Sequence, residues 1–256
     1  MGRILYKYLD AQGGACMLVN KNLQFTNATQ LNDPFDSHPG LIDFSNVPEE
    51  RKKVWSKEII MQLEANRYEN LRDDAWICSL SKVYDSLLMW SYYGGHKGVC
   101  IGIDMDKANH YLSKIRCKIT YGATELDVQY LDVINKPDFF KRDYNFYRYQ
   151  LATKAKEWAH EQEVRLVLID PSAEVMMLSP EQAKETKEMD WKEVRAYPPI
   201  GGECFESLYL GIKMKPEHKA KIIDYARQCN PNIKIYQMTV DPEAFKLKEQ
   251  LLQLNK

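Results

Sequence analysis

The sequence lacks any apolar run approaching the roughly 18 consecutive residues that a membrane span requires. Its opening stretch, MGRILYKYLDAQGG, has neither a long apolar segment nor a small-residue cleavage site. No membrane association and no secretory leader are therefore expected, and a cytoplasmic location is. Tyr6 stands where a myristoylation signal needs Ser or Thr, so Met1-Gly2 does not announce a lipid anchor. Cysteine is sparse and dispersed: Cys16, Cys78, Cys100, Cys117, Cys204 and Cys229 form no Cys-x-x-Cys pair. That spacing supports neither a zinc knuckle nor a thioredoxin-like motif, and predicts reduced, mostly buried thiols. The histidines (His38, His96, His110, His160 and His218) show no His-Glu-x-x-His spacing, so no metal site is expected. A Gly-x-Ser-x-Gly elbow, a P-loop and a Gly-x-Gly-x-x-Gly fingerprint are all missing. Nor does one charge dominate: 35 Lys and Arg face 36 Asp and Glu, a formal −1. A strongly basic nucleic-acid binder is thereby disfavoured.

What is present reads as a folded chain. Of 256 residues, 45% are hydrophobic and 28% charged, ordinary globular usage for one large domain or two small ones. Strand patterns fall at residues 4–9, 23–26, 76–81, 98–104, 117–121, 163–169, 194–197, 207–212 and 233–240. Helical patterns fall at 10–20, 48–71, 85–93, 107–115, 139–158, 216–229 and 242–254. Residues 31–36, Leu-Asn-Asp-Pro-Phe-Asp, must turn, because Pro34 pushes Asp33 out of the helical region. Strands and helices mix without a strict βαβ rhythm and without repeats. The expectation is therefore an α+β fold, a single domain over 1–256 with a mixed or antiparallel central sheet flanked by helices.

Three segments could carry chemistry. In 158–167, Trp-Ala-His-Glu-Gln-Glu-Val-Arg-Leu-Val, strand alternation puts Glu161, Glu163 and Arg165 on one face and Val164, Leu166 and Leu168 on the other. Neighbouring carboxylates raise each other's proton affinity, whereas a guanidinium holds them ionised. Such a group can fix a sugar hydroxyl or stabilise a developing cation, although an ion-paired structural rim has the same pattern. In 88–99, three glycines lie close to Trp90, Tyr93 and His96. They suit either backbone approach to a ligand or a helix cap entering a buried strand. In 139–149 aromatics interleave with Lys141, Arg142 and Arg148, but Phe140, Tyr144, Tyr147 and Leu151 recur at the spacing of a core-facing helix.

Taken in order, Tyr6-Lys7-Tyr8, the 31–36 turn, Cys78-Ser79-Leu80-Ser81, Met89-Trp90-Ser91-Tyr92-Tyr93, His96-Lys97-Gly98 and Trp158 with Glu161-x-Glu163-x-Arg165 resemble a bacterial family known as Domain of Unknown Function 2971. The resemblance runs from about residue 4 to 170 and leaves 171–256 as a C-terminal αβ extension. It names no reaction. The chain also resembles, more loosely, ADP-ribosyltransferases of the Arg-Ser-Glu type, which carry a basic residue on an early strand, then a Ser-x-Ser strand, then a Glu-x-Glu strand. Lys7, Ser79-Leu80-Ser81 and Glu161-Gln162-Glu163 occur in that order. Lys7 stands where that group has Arg or His and lacks the bidentate fork. The likeness implies NAD as substrate, no further cofactor, and a protein or nucleic-acid acceptor, in a toxin or phage-defence setting. Glu163 would stabilise the oxocarbenium-like transition state and Glu161 would orient the acceptor. Ligand contacts would come from Lys7, Tyr8, Asn32, Asp33, Ser79, Ser81, Trp90, Tyr93, His96 and Arg165. The alternative is a non-catalytic module binding a small ligand or nucleotide.

Overall fold

Val99–Asp104 (β4), Val-Cys-Ile-Gly-Ile-Asp, has the composition of a strand covered on both faces, and in the computed structural model it is buried along its whole length. The structure describes residues 2–64, 70–117, 121–141, 145–171 and 195–252. Around β4 lie the strands β1 (Ile4–Leu9), β2 (Thr26–Asn27), β3 (Ala75–Ser81), β5 (Thr124–Asp127), β6 (Gln129–Leu131), β7 (Thr153–Ala155), β8 (Glu163–Ile169), β9 (Phe205–Leu210), β10 (Lys234–Val240) and β11 (Leu247–Leu251). The described helices are α1 (Ala11–Asn20), α2 (Glu49–Lys52), α3 (Lys57–Glu64), α4 (Asn70–Asp73), α5 (Leu87–Tyr92), α6 (Met105–Leu112), α7 (Phe146–Leu151) and α8 (Pro216–Cys229).

The central sheet runs β11-β10-β9-β4-β1-β3-β8-β5, with β2 joined to β3. Its pairings are antiparallel apart from β9 with β10. This is an α+β domain with a mixed, mostly antiparallel sheet. Strand alternation sends Leu5, Cys78, Leu80, Ile101, Val164, Leu166 and Leu208 to one face, where they form the main core with Met17 and Leu18 of α1, Leu112 of α6 and Ile222 of α8. The register contains one interruption that matters for the site. β1 pairs with β4 from Ile4↔Asp104 to Leu9↔Val99, and β3 pairs with β8 from Ala75↔Ile169 to Ser81↔Glu163. Between β1 and β3 the only register pair is Tyr6↔Ser81. The sheet opens there.

Several expected elements differ. Residues 139–158 are not one helix: a 3-10 turn at Phe139–Lys141, α7, β7 and a second 3-10 turn at Lys156–Glu161 share the segment. The Leu151 carbonyl accepts from Arg165 instead of a helical N–H, and Thr153–Ala155 pairs in parallel with Gln129–Leu131. Arg142 and Tyr144 of that stretch lie outside the described residues. Residues 48–71 break after α2 and restart at α3, where the Ser56 hydroxyl accepts from the Ile59 N–H; 65–69 lie outside the described residues. Residues 242–252 are a turn and β11, because Asp241 N–H donates to the Lys246 carbonyl and closes a hairpin on β10; 253 and 254 of the expected helix lie outside the described residues. The expected strand at 194–197 is a single bridge of Ala196 to Phe25, with Val194 outside the described residues. Of 117–121, Cys117 and Tyr121 make isolated bridges, and 118–120 lie outside the described residues. Among the described residues no helix is long and apolar enough to cross a membrane. All six cysteines are free, and only Cys16 is exposed.

Candidate functional site

Glu163 opens β8, and Arg165, two residues along, projects from the same face. Glu161 ends the preceding 3-10 turn and is not part of the strand, so the expected three-residue alternation holds only for Glu163 and Arg165. Gln162 between the acids is left-handed, with φ 43° and ψ 51°, and this local reversal brings both carboxylates onto one cation. Lys154 of β7 donates to Glu161 Oε2 at 2.5 Å and to Glu163 Oε2 at 3.3 Å, and its Nζ lies 4.8 Å from the Trp158 ring centroid.

Arg165 has 0% exposure, a burial that requires complete pairing. All five of its N–H groups find acceptors. Nε donates to Glu163 Oε1 at 2.9 Å, Nη1 to Asp36 Oδ1 at 2.7 Å and the Leu151 carbonyl at 2.8 Å, and Nη2 to Asp36 Oδ2 at 2.7 Å and Glu163 Oε2 at 3.1 Å. Three buried carboxylates, Asp36, Glu161 and Glu163, thus surround two buried cations. Burial alone would raise the Glu163 pKa, but the charges of Arg165 and Lys154 and hydrogen bonds from Arg165 and Ser79 outweigh it and bring the group down to about 2. The Lys154 ammonium is opposed by its burial and favoured more strongly by Glu163, Glu161 and Asp36, so its pKa is raised. Tyr93 donates to Glu161 Oε1 at 3.0 Å; burial and that carboxylate raise its phenol pKa.

Opposite the acids, where β1 and β3 part, Lys7 donates to the Ser79 carbonyl at 2.8 Å, satisfying a strand carbonyl at the edge of the opening. Ser81 donates to the Glu161 carbonyl at 2.6 Å, and the Tyr130 hydroxyl accepts from the Glu163 N–H at 2.8 Å. The cavity at this opening is small, about 60 Å³.

Of the residues singled out from sequence, Lys7, Tyr8, Asn32, Ser79, Ser81, Tyr93, Glu161 and Glu163 line this cavity. The other four do not. Arg165 lies beneath it. Asp33 shapes the 31–36 turn, accepting from the Phe35 N–H at 3.0 Å and the Asp36 N–H at 3.0 Å. Trp90 is core, its Nε1 donating to the Tyr84 carbonyl at 2.8 Å and its ring set edge-on to Tyr8. His96 sits in the turn between α5 and β4 at φ 61°. Sequence reasoning passed over Asp36 and Lys154 as site residues. Lys154 had a faint signal, a lone cation within Leu151-Ala152-Thr153-Lys154-Ala155. Among the described residues no cluster of His, Cys, Asp and Glu could hold a metal ion.

No curated protein and no solved structure matches the chain. Residues 89–166 match a family described as Protein of unknown function (DUF2971), a span that includes Tyr93, Lys154, Glu161, Glu163 and Arg165 but neither Lys7 nor Ser79; over it the chain is similar to that family.

Proposed function

We propose that the cavity at the β1–β3 opening is an active site that cleaves the nicotinamide–ribose bond of NAD and transfers ADP-ribose. One observation carries the reading: Lys7, Ser79, and the Glu161 and Glu163 pair, from three separate stretches of chain, line one cavity. In this reaction the C–N glycosidic bond breaks with its electron pair leaving on nicotinamide. The ribose carbon then takes the acceptor's lone pair, and the acceptor's proton passes to solvent. Positive charge develops on the ribose. An ionised Glu163 carboxylate, held rigid by Arg165, is preorganised to oppose it. With its pKa at about 2, Glu163 is an electrostatic and hydrogen-bond partner and not a proton donor near neutrality. A ribose hydroxyl would take the place the Ser79 hydroxyl now holds against it. Glu161, steadied by Tyr93 and Lys154, is placed to orient the acceptor.

The small volume, about 60 Å³, favours a second reading, a non-catalytic site that takes a small ligand or one end of a nucleotide. NAD labelled in its adenylate half, incubated with candidate proteins and nucleic acids, separates the two. The enzyme reading expects label on an acceptor with wild-type protein and none with Glu163→Gln or Lys7→Met. Thermal stabilisation by NAD with no label transferred to any acceptor would favour the binding module.

A further inference from the structure

β6 and β7 pair in parallel as Gln129↔Thr153, Tyr130↔Lys154 and Leu131↔Ala155, so paired residues share a face and successive ones alternate. Tyr130 and Lys154 turn to the acids: the Tyr130 hydroxyl accepts from the Glu163 N–H, and Lys154 donates to Glu161 and Glu163. Leu131, Thr153 and Ala155 lie on the opposite face of this small sheet. There they border a separate hollow of about 180 Å³, whose other walls include Phe35, Leu41 and Ile134. None of Lys7, Ser79, Glu161 or Glu163 borders it.

Size, charge and one hydroxyl define what this hollow can take. An apolar cavity of about 150 Å³ stays dry and accepts benzene, so the volume here suits a single ring. Phe35 is 60% exposed beside it, an apolar surface that an occupant would cover. The two charged side chains on its walls already have partners. Asp132 pairs with Lys156 at 2.9 Å, and the Lys154 ammonium is held by the acids on the far side of the sheet. A charged occupant would find no counter-charge among the described residues and would lose its hydration. Thr153 is different: its side chain is buried, and its hydroxyl has no hydrogen-bond partner among the described residues. Such a group carries an uncompensated desolvation cost. One step of χ1 to the next staggered position exchanges the hydroxyl with the methyl group, and the step breaks no hydrogen bond. We infer that this hollow is a binding site for a neutral, single-ring compound that carries one hydrogen-bonding group, which meets the Thr153 hydroxyl while the ring packs against Phe35, Leu41, Leu131 and Ala155.

Fluorine NMR titration of the full chain at pH 7 with 4-fluorophenol, 4-fluorotoluene and 4-fluorobenzoate tests this site. The two neutral rings should bind, and the carboxylate should bind at least tenfold more weakly than the phenol. Thr153→Val should weaken 4-fluorophenol by about tenfold, the scale of one hydrogen bond, and leave 4-fluorotoluene unchanged. It should also unfold no earlier than the wild type, because the hydroxyl it removes has no partner. Ala155→Leu, which places extra methyl groups in the hollow, should weaken both neutral rings by tenfold or more. Four results would overturn the inference: no binding of 4-fluorophenol to the wild type, 4-fluorobenzoate binding as tightly as the phenol, an unchanged ratio of phenol to toluene affinity in Thr153→Val, or wild-type affinities in Ala155→Leu. The first of these is also the outcome expected if a protein side chain fills the hollow instead.

Discussion

Arg165 is the residue on which the site's geometry turns, because it ties Asp36 in one loop to Glu163 on β8 while capping the Leu151 carbonyl. Replacing it with Met leaves the buried Asp36 and Glu163 with Lys154 as their one remaining neighbouring cation, a change that destabilises by roughly 3–5 kcal/mol. Urea denaturation should register that loss. Arg165→Lys should restore little of it, since an ammonium cannot reach both carboxylates in a planar fork. Glu163 sets the acid limb of stability. Its folded pKa of about 2 lies below the ordinary 4.5, so its contribution is complete above 4.5 and is lost as pH falls through 2. Melting curves of wild type and Glu163→Gln should accordingly converge as pH drops from 4.5 toward 2 and stay well apart at neutral pH. Curves that remain parallel across that window would contradict the ionised, paired carboxylate.

At the scale of elements, the site depends on two backbone features. Gln162, at φ 43°, lets Glu161 and Glu163 meet Lys154. A β-branched residue is strongly disfavoured in that region, so Gln162→Val should destabilise by about 1–2 kcal/mol, whereas Gln162→Gly should be close to neutral in the same unfolding assay. Gly98 begins the run into β4, and a Cβ there would collide with the Leu9 carbonyl oxygen at the end of β1. Gly98→Ala should cost about 1–3 kcal/mol in the same unfolding assay, as overpacking does. The sequence makes some of this legible and hides the rest. Alternation along 163–169 reveals that Glu163 and Arg165 share a face, and the continuous apolar run at 98–104 reveals a strand buried on both sides. The 216–229 helix is readable from its Pro at the first turn and its periodicity. Hidden were elements decided by distant partners. β7 exists because Gln129–Leu131 pairs with it, and α7 stops where Arg165 claims the Leu151 carbonyl. With β7 obscured, nothing in the sequence marks Lys154 as the cation that meets Glu161 and Glu163.

For the whole molecule, the last quarter of the chain is not an appendage. β9 pairs with β4 in the middle of the sheet, and its Phe205, Leu208 and Leu210 are fully buried in the main core. A fragment ending at residue 171 would uncover β4 and the faces of α1 and α6 that pack around this core. Its circular dichroism melt should lack a cooperative transition, and a sharp two-state melt would show that the first part of the chain folds alone. The sheet's opening between β1 and β3 is the feature of the fold on which the proposed function depends, since it is flanked by pairings that run strand-long on both sides and is bordered by Lys7, Ser79, Glu161 and Glu163. The most direct test of the account is the rate at which nicotinamide appears from NAD, measured without regard to the acceptor. Wild-type protein should release nicotinamide. Glu163→Gln should do so about 100-fold or more slowly, the scale lost with a preorganised electrostatic partner, and Lys7→Met should also slow release. No release by the wild type with protein and nucleic-acid acceptors present, or equal release by Glu163→Gln, would contradict it.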